Sequence, residues 1–226
     1  MQKIDAEKLF KLQLNLEGFD IGENNQIIKI NTDHFDIEKD KNQEFPNITV
    51  FKSDNQLDVF YADSMSDQLV FALEKFSKED FFYKKEKVIA KLKERNEFNE
   101  VGHYIVYIFP EKILENLQNL KIFKGDDELV KEFDSSFYKK YSIIYAAIEN
   151  NEIAASCVSS RENDFAGEAW IFTSPKYRKQ GYGSRAVNFW AHELREKNKI
   201  PFYTHEISNI ASHKLAQKLG LVKVLY

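Results

Sequence analysis

The order of strand-like and helix-like segments after residue 140 constrains the fold more than any other feature of the sequence. The segments are strands in SIIYAAIE, EIAASCVSSR and GEAWIFTS, a helix at 181–198, a strand at 201–206, a helix at 208–219 and a last strand at 221–226. Asn- and Asp-containing turns separate the first three strands, which predicts an antiparallel meander. The βββαβαβ order predicts an α/β (α+β) domain with a mixed sheet.

The first 120 residues show secondary structure but no motif that carries chemistry. Patterns of apolar residues predict a helix at 5–16, an irregular segment at 25–46, a β-hairpin in ITVFKSDNQLDVFYAD, helices in SMSDQLVFALEKF and KKEKVIAKLKERNE, and a strand in HYIVYIFP. Two short helices are expected at 111–120 and 126–134. We therefore divide the chain into a mixed α/β region at 1–120 and a second domain at 121–226.

Composition argues against several classes of partner. The chain has 226 residues, a net charge of −4 and a pI near 5.8, and its Lys and Arg residues are spread along the sequence. We therefore expect neither nucleic acid nor an anionic membrane as partner. The five His residues are scattered and Cys157 is the lone cysteine, so neither a metal site nor an intrachain disulfide is expected. A lone cysteine, with no signal peptide and no apolar run of about 20 residues, favours a cytoplasmic protein.

The stretch SPKYRKQGYGSRAVNFW (174–190) places two glycines and four basic residues at a predicted helix start. Unpaired N–H groups and the positive end of the helix dipole make such a start suitable for an anion. An ordinary helix start with solvated basic residues is the alternative. The spelling G-x-G-x-x-A also matches a dinucleotide-binding loop, but that motif requires a strand running almost directly into Gly181, and residues 174–180 intervene.

In PKYRKQGYGSRAV, the chain resembles the acetyl-CoA-binding motif R/Q-x-x-G-x-G/A of the GNAT superfamily of N-acyltransferases. Three further stretches match in order: EAWIFT before the loop, IPFYTHEISN after the helix, and NIASHKLAQKLGL as the last helix and its exit. The resemblance covers about residues 140–226 and is closest to a bacterial subgroup. It implies a GNAT-like, mostly antiparallel sheet flanked by helices, with acetyl-CoA as cosubstrate and no metal.

The resemblance also implies where acetyl-CoA is bound. The strand before the loop would separate from the strand at 201–206, and the pantetheine arm would lie between them. The expected contacts are Ile171, Phe172, Thr173, Arg178, Lys179, Gln180, Gly181, Tyr182, Gly183, Ser184, Asn209 and Ser212. For Asn209 and Ser212, which share one face of the last helix, simple helix capping is an alternative to cofactor contact.

Acetyl transfer to an alkylamine requires a base, because the amine is mostly protonated at neutral pH. Glu168 matches a Glu of the subgroup and is the first candidate, with His205 and Glu206 as further ones. The Tyr that many members use to protonate the departing thiolate is replaced by Ala216. The sequence does not rank Tyr226, Tyr203 and Tyr182 as general acids, and we take Tyr226 as the candidate acid.

Other conspicuous residues have simpler interpretations. Trp190 continues the apolar stripe of its helix and is expected in the core rather than on an adenine ring. Cys157 lies among small residues in a strand and is expected to be a buried hydrophobe rather than a nucleophile. Ser156 and Arg161 fit the subgroup's pattern and are candidates for the acceptor side.

These observations predict an N-acetyltransferase that transfers an acetyl group from acetyl-CoA to a primary amine of a small molecule or peptide. The amine would attack directly in a ternary complex. A non-catalytic acyl-CoA-binding protein with the same fold is the alternative, and a dinucleotide-binding oxidoreductase is a more distant one. Residues 1–120 are expected to supply the acceptor side or a homodimer contact.

Overall fold

The computed structural model describes residues 5–22, 26–29, 47–94, 101–111, 118–134 and 139–226. Within them, the helices are α1 (Ala6–Leu16), α2 (Asp67–Leu73), α3 (Lys78–Tyr83), α4 (Lys85–Lys93), α5 (Glu128–Phe133), α6 (Tyr182–Glu196) and α7 (Ile210–Lys218). The strands are β1 (Phe19–Ile21), β2 (Ile27–Lys29), β3 (Ile48–Lys52), β4 (Leu57–Tyr61), β5 (Tyr104–Ile108), β6 (Leu120–Lys124), β7 (Ile143–Glu149), β8 (Glu152–Glu162), β9 (Ala166–Thr173), β10 (Ile200–Glu206) and β11 (Val222–Leu225). No described helix has both the length and the apolar character needed to cross a membrane.

Seven of these strands form the central sheet, in the order β11-β5-β10-β9-β8-β7-β6. Every neighbouring pair is antiparallel except β9 and β10, which the crossover helix α6 joins in parallel. The mixed, mostly antiparallel sheet flanked by helices confirms the predicted fold class. Strand β5 comes from the first 120 residues and yet lies between β10 and β11.

The two faces of the sheet are covered by different helices. On one face, α6 and α7 lie over Tyr107, Cys157 and Tyr203, and Trp190 is fully buried at the centre of this cluster. On the other face, α1 covers β5, β10 and β11, while α5 covers β6 to β8. Each helix therefore buries the apolar stripe that its sequence pattern predicts.

The hairpin β3–β4 joins this architecture through aromatic contacts. Phe10 of α1 stacks on Phe51 of β3 with ring centroids 4.5 Å apart. The helices α2, α3 and α4 lie beside the hairpin around a small separate core that contains Leu69, Leu73 and Phe81. Phe51 and Phe60 of the hairpin thus share one buried cluster with residues of α1 and of the central sheet.

The sequence predicted most elements, but it missed the strands β1, β2 and β6. Residues 27–29 form β2, paired with β1, where an irregular segment was expected, while 30–46 lie outside the described residues. The expected helix at 111–120 falls largely on residues that are also outside the description, and Leu120 begins β6. The division at 120/121 stays a prediction, although β5, on its N-terminal side, is a strand of the central sheet.

Candidate active site

A gap opens between β9 and β10. Their parallel pairing joins Ile200–Phe202 to Ala166–Glu168, and no later pair links these two strands, both of which are fully described. Strand β9 nevertheless continues to Thr173, paired with β8 on its other edge, and β10 continues to Glu206. Backbone groups of β9 beyond Glu168 are thus available on the β10 side for an extended ligand.

The glycine loop lies at the far end of this gap. After β9, a short 3-10 turn (Pro175–Tyr177) leads to Lys179 and Gly181, whose φ angles are +62° and +92°. The left-handed conformation is easily adopted by glycine, and here it reverses the chain into α6. The first N–H groups of α6 have no intrahelical acceptor, so they are free to bind an anion.

Gly183 serves a contact within the protein. A Cβ added there would lie 2.7 Å from Thr173 Oγ1, a distance at which something must move. The absence of a side chain therefore lets the first turn of α6 approach the end of β9. This close approach holds the loop at the mouth of the gap.

Cationic side chains surround the loop from three segments. Arg178 is exposed and donates from Nε to the carbonyl oxygen of Thr173 at 3.3 Å. Lys218, at the end of α7, brings its ammonium 3.7 Å from the position that a Cβ on Gly181 would occupy. Lys176 is instead paired with Glu152 at 2.9 Å. Arg178 and Lys218 are therefore suited to face a pyrophosphate at the loop.

The start of α7 reaches the gap from the α6 side of the sheet. Asn209 is the helix cap, because its Oδ1 accepts from the backbone N–H of Ser212 at 3.0 Å. The Ser212 side chain forms a hydrogen bond with Tyr203, which follows the last paired residue of β10. Burial raises the pKa of Tyr203, so its phenol stays protonated at neutral pH.

On the opposite face, Glu168 lies where the gap begins and is only 6% exposed. Its Oε2 accepts from Arg161 Nη1 at 2.7 Å, and its Oε1 accepts from Gln13 Nε2 of α1 at 3.4 Å. Gln13 Nε2 also donates to Glu17 Oε1 at 3.2 Å. Burial, and then the charge of Glu168, raise the pKa of Glu17. Two carboxylates and a guanidinium thus meet beneath α1.

His205 lies on the other face, among aromatic rings. Its Nδ1 lies 2.9 Å from the Glu206 carbonyl oxygen, which can only accept, so Nδ1 carries the proton. The ring stacks on Tyr107, and its Nε2 is buried without a hydrogen-bond partner in the described part of the chain. Glu206 itself is exposed at the end of β10.

The structure brings together most of the residues expected at the cofactor site, but it separates Tyr226 from them. Tyr226 lies at the β11 edge, where its hydroxyl donates to Asp54 of the β3–β4 turn, and β5 and β10 separate β11 from the gap. Phe172 directs its side chain away from the α6 face and contacts Phe133 of α5, so only its backbone faces the gap. Tyr226 is therefore poorly placed to serve the gap.

Three other singled-out residues are buried in the core. Cys157 and Trp190 are fully buried, and burial raises the pKa of the Cys157 thiol well above its usual range, which confirms both as core residues. Ser156 is also fully buried, on the α5 side. Among the described residues, no group of three or more His, Cys, Asp or Glu could hold a metal ion.

Sequence reasoning missed Gln13, Glu17 and Lys218. Lys218 stands in the K-L-G segment of the last motif, so a closer reading of that motif could have found it. Nothing local marks Gln13 and Glu17, because their connection to Glu168 spans 155 residues of sequence.

The gap and the loop together fit acetyl-CoA. The extended edge of β9 suits the amide-containing pantetheine arm, while the N–H groups and cations suit the pyrophosphate. A dinucleotide fits less well, because β9 ends eight residues before Gly181 and most of the sheet is antiparallel.

Comparison with known protein families gives a match for about half of the chain. Residues 111–221 match the family model described as Acetyltransferase (GNAT) family. No curated protein matches significantly in sequence.

Solved structures of similar shape include a GNAT-family protein of Novosphingobium aromaticivorans (TM-score 0.46, 15% identity, 55% of this chain and 60% of that one). A GNAT-family acetyltransferase of Colwellia psychrerythraea has a TM-score of 0.48 and 11% identity, over 75% of this chain and 74% of that one. A GCN5-related N-acetyltransferase-like protein of Streptococcus suis has a TM-score of 0.41 and 11% identity, over 83% of each chain.

The chain thus spans 60% of the length of the first of these neighbours. At such low identities and TM-scores, the neighbours give no information on substrate or mechanism. The family model does identify the domain, and it begins just after β5 and ends just before β11. Residues 111–221 of this chain form an acetyltransferase domain of the GNAT family.

Proposed function

We propose that this protein transfers an acetyl group from acetyl-CoA to a primary amine of a small molecule or peptide, by direct attack in a ternary complex. The observation that carries the proposal is the end of β9–β10 pairing at Glu168 and Phe202, with the glycine loop at the far end of the same strand. A ligand with an extended amide-rich arm and a pyrophosphate matches that arrangement.

In this proposal, backbone groups of Ile171–Thr173 form hydrogen bonds with the pantetheine arm, which lies along β9 as an added strand would. The loop from Lys179 to Ser184 binds the pyrophosphate through its N–H groups, and Arg178 and Lys218 neutralise its charge. Asn209 contributes by capping α7, which holds Ser212 in place. The cosubstrate supplies a thioester, the activated acyl group that the amine attacks.

An acceptor amine must lose a proton before it attacks, and a carboxylate at the start of the gap is suited to take it. Glu168, the candidate from sequence, lies there, but Arg161 and Gln13 already occupy its two oxygens, so a carboxylate beside it is better suited to take the proton. A backbone N–H of β9 just beyond Glu168 is available to stabilise the negative charge that develops on the carbonyl oxygen.

The departing thiolate needs a proton, and we assign its donor to Tyr203 rather than Tyr226. Tyr203 is the first residue of β10 beyond the paired segment, whereas Tyr226 is bound to Asp54 at the β11 edge. Both Tyr203 and Ala216, which stands where many relatives carry their tyrosine, belong to the buried cluster under α6 and α7. Tyr203 thus provides a hydroxyl in the same buried cluster in which Ala216 provides none.

Acetyl-CoA binding and thiol release with amines test the proposal. We expect acetyl-CoA to raise the melting temperature, and NAD to leave it unchanged, because only a ligand of the native state stabilises it. Arg178→Ala should weaken acetyl-CoA binding while affinity for S-acetylpantetheine, which lacks the pyrophosphate, stays the same. No thermal shift at millimolar acetyl-CoA would refute the proposal.

The same experiment separates catalysis from simple binding. A non-catalytic acyl-CoA-binding protein would show the thermal shift but no thiol release above background with any amine, and the buried Ala216 is the observation that favours this alternative. A cytoplasmic location and a homodimer stay predictions.

A further inference from the structure

The cluster beneath α1 contains a hydrogen-bond acceptor that the described residues do not use. Gln13 is 4% exposed, and its Oε1 is buried without a hydrogen-bond partner among the described residues. The other atom of the same amide, Nε2, lies 3.2 Å from Glu17 Oε1 and 3.4 Å from Glu168 Oε1. Since an unmet buried acceptor is unfavourable, this arrangement is suited to a donor from outside.

The orientation of the Gln13 amide is determined by its neighbours. With oxygen and nitrogen exchanged, a carbonyl oxygen would face two carboxylates, which is unfavourable. Oε1 is therefore the atom of this amide that is left as an unused acceptor among the described residues. Thr204 Oγ1, two residues beyond Phe202 on β10, is also buried without a hydrogen-bond partner in the described part of the chain. It lies on the same face of the sheet as Glu168 because Phe202 pairs with Glu168.

The two carboxylates differ in what they can do. Glu168 is buried, and both of its oxygens are within hydrogen-bond distance of Arg161 or Gln13. Glu17 is half-buried at the C-terminal end of α1, where Gly18 in the left-handed conformation turns the chain toward β1. A ligand can therefore reach Glu17 more readily than Glu168.

An exposed aromatic ring adjoins these groups. Trp170 follows Glu168 by two residues on β9, so it projects from the same face about 7 Å further along the strand. Although β9 is an inner strand of the sheet, Trp170 is 40% exposed. Its ring lies 5.5 Å from Lys140 Nζ, a distance at which an aromatic ring attracts a cation.

We propose that Glu17 binds the ammonium group of the acceptor and takes its proton, with Gln13 Oε1 as a second acceptor and Glu168 as a fixed negative charge at the start of the gap. This inference rests on the proposed acetyltransferase function and narrows it to alkylamines that arrive as cations. It also gives the first helix of the chain a catalytic role.

The proton balance is complete without a further reactant. Glu17 takes one proton from R–NH₃⁺, and the neutral nitrogen forms a bond to the acetyl carbon while the C–S bond breaks. The sulfur leaves as a thiolate and receives a proton from Tyr203, which regains the second proton that the nitrogen loses, and Glu17 returns its proton to solvent. The products are the amide, CoA–SH and one proton.

Charged groups around Glu17 support this assignment. Glu168 of β9 raises the pKa of Glu17, as burial does, while Arg161 of β8 and the hydrogen bond from Gln13 lower it, and the net direction is upward. A carboxylate with a raised pKa is the stronger base when ionised, so it accepts a proton from an ammonium group more readily.

Glu17→Gln, compared with Glu7→Gln as a control on the same helix, tests the inference. The assay is thiol release with 1,4-diaminobutane, spermidine and a lysine-containing peptide, with 4-methoxyaniline as an amine that is neutral at pH 7. We expect Glu17→Gln to lower kcat/KM for the best alkylamine about 100-fold at pH 7. The loss should shrink as the pH approaches 10, where the free amine is abundant.

Activity with 4-methoxyaniline and binding of acetyl-CoA show whether this inference fails or the proposed function fails. Activity with 4-methoxyaniline but with none of the alkylamines would overturn the inference and leave the proposed function standing. Equal kcat/KM for Glu17→Gln and Glu7→Gln would overturn it as well. Unchanged acetyl-CoA binding in Glu17→Gln, measured by thermal shift, shows that a loss of activity is not a loss of the fold.

Discussion

Arg161 and Glu168 face each other on β8 and β9 as directly paired residues, and their side chains form an ion pair of 2.7 Å that is largely shielded from solvent. The pair lies where β9 and β10 stop pairing, under the first helix of the chain. A charge held in this location serves both the stability of the fold and the chemistry that we propose for the gap. Its removal is therefore expected to affect both.

Arg161→Leu should lower the free energy of unfolding by about 2–4 kcal/mol, because it leaves the Glu168 carboxylate buried without its partner. Urea denaturation should show a lower midpoint with an unchanged m-value. The double variant Arg161→Leu/Glu168→Leu should recover most of the loss. If the double variant were as unstable as the sum of the two single variants, the two side chains would not be coupled.

Glu17→Gln should raise the melting temperature at pH 7 and above. The pKa of Glu17 is raised in the folded protein, so the folded state holds the proton more tightly than the unfolded state. The free energy of unfolding of the natural protein therefore falls as the pH rises from the unfolded pKa through the higher folded pKa. Gln has no proton to lose and avoids that fall.

Thermal unfolding of both proteins between pH 4 and 8 checks this difference, which should be smallest at the acidic end. Glu7→Gln, whose carboxylate is half exposed beside Lys11, should show no such trend. A Glu17→Gln protein that is less stable than the natural one at pH 8 would contradict the prediction.

Gly183→Ala should lower stability by about 1–3 kcal/mol, because the added Cβ would lie 2.7 Å from Thr173 Oγ1 and push α6 from β9. Combining it with Thr173→Ala, which removes that oxygen, should recover part of the loss. Circular dichroism melts of the four proteins measure the effect. Additive losses in the double variant would show that the two positions do not clash.

Lys218→Gln should weaken acetyl-CoA binding roughly fivefold, the value of a partly exposed charge contact of about 1 kcal/mol. Lys214→Gln, on an exposed position of the same helix, is the matched control and should bind normally. Isothermal titration at two salt concentrations measures both, and the effect of Lys218→Gln should be smaller at high salt. Equal affinities of the two variants for acetyl-CoA would show that Lys218 does not contact the pyrophosphate.

Tyr203→Phe should lower kcat about 100-fold if its hydroxyl protonates the thiolate, with little change in acetyl-CoA affinity. It also loses the hydrogen bond to Ser212, which should cost about 1 kcal/mol of stability. Tyr226→Phe, at the β11 edge, should retain full kcat. Steady-state thiol release compares them, and a Tyr203→Phe enzyme with normal kcat would mean that the proton comes from elsewhere.

Residues whose conformation depends on near neighbours could be predicted from the sequence. The three-stranded meander, α6, α7 and the glycine loop follow from periodicity, from the polar turns and from a glycine that adopts a positive φ, all of which act over a few residues. The burial of Cys157 and Trp190 follows from the same patterns, and the family motifs indicated the loop to which we assign the cosubstrate.

Tertiary structure alone decided how distant segments meet. Strand β5 enters the sheet between β10 and β11, which places Tyr226 two strands from the gap. The Gln13 amide reaches Glu168 across 155 residues, which turns an ordinary amphipathic helix into one wall of the candidate acceptor site. Such contacts leave no periodic trace, because they depend on which surfaces become complementary once the helices and strands are packed together.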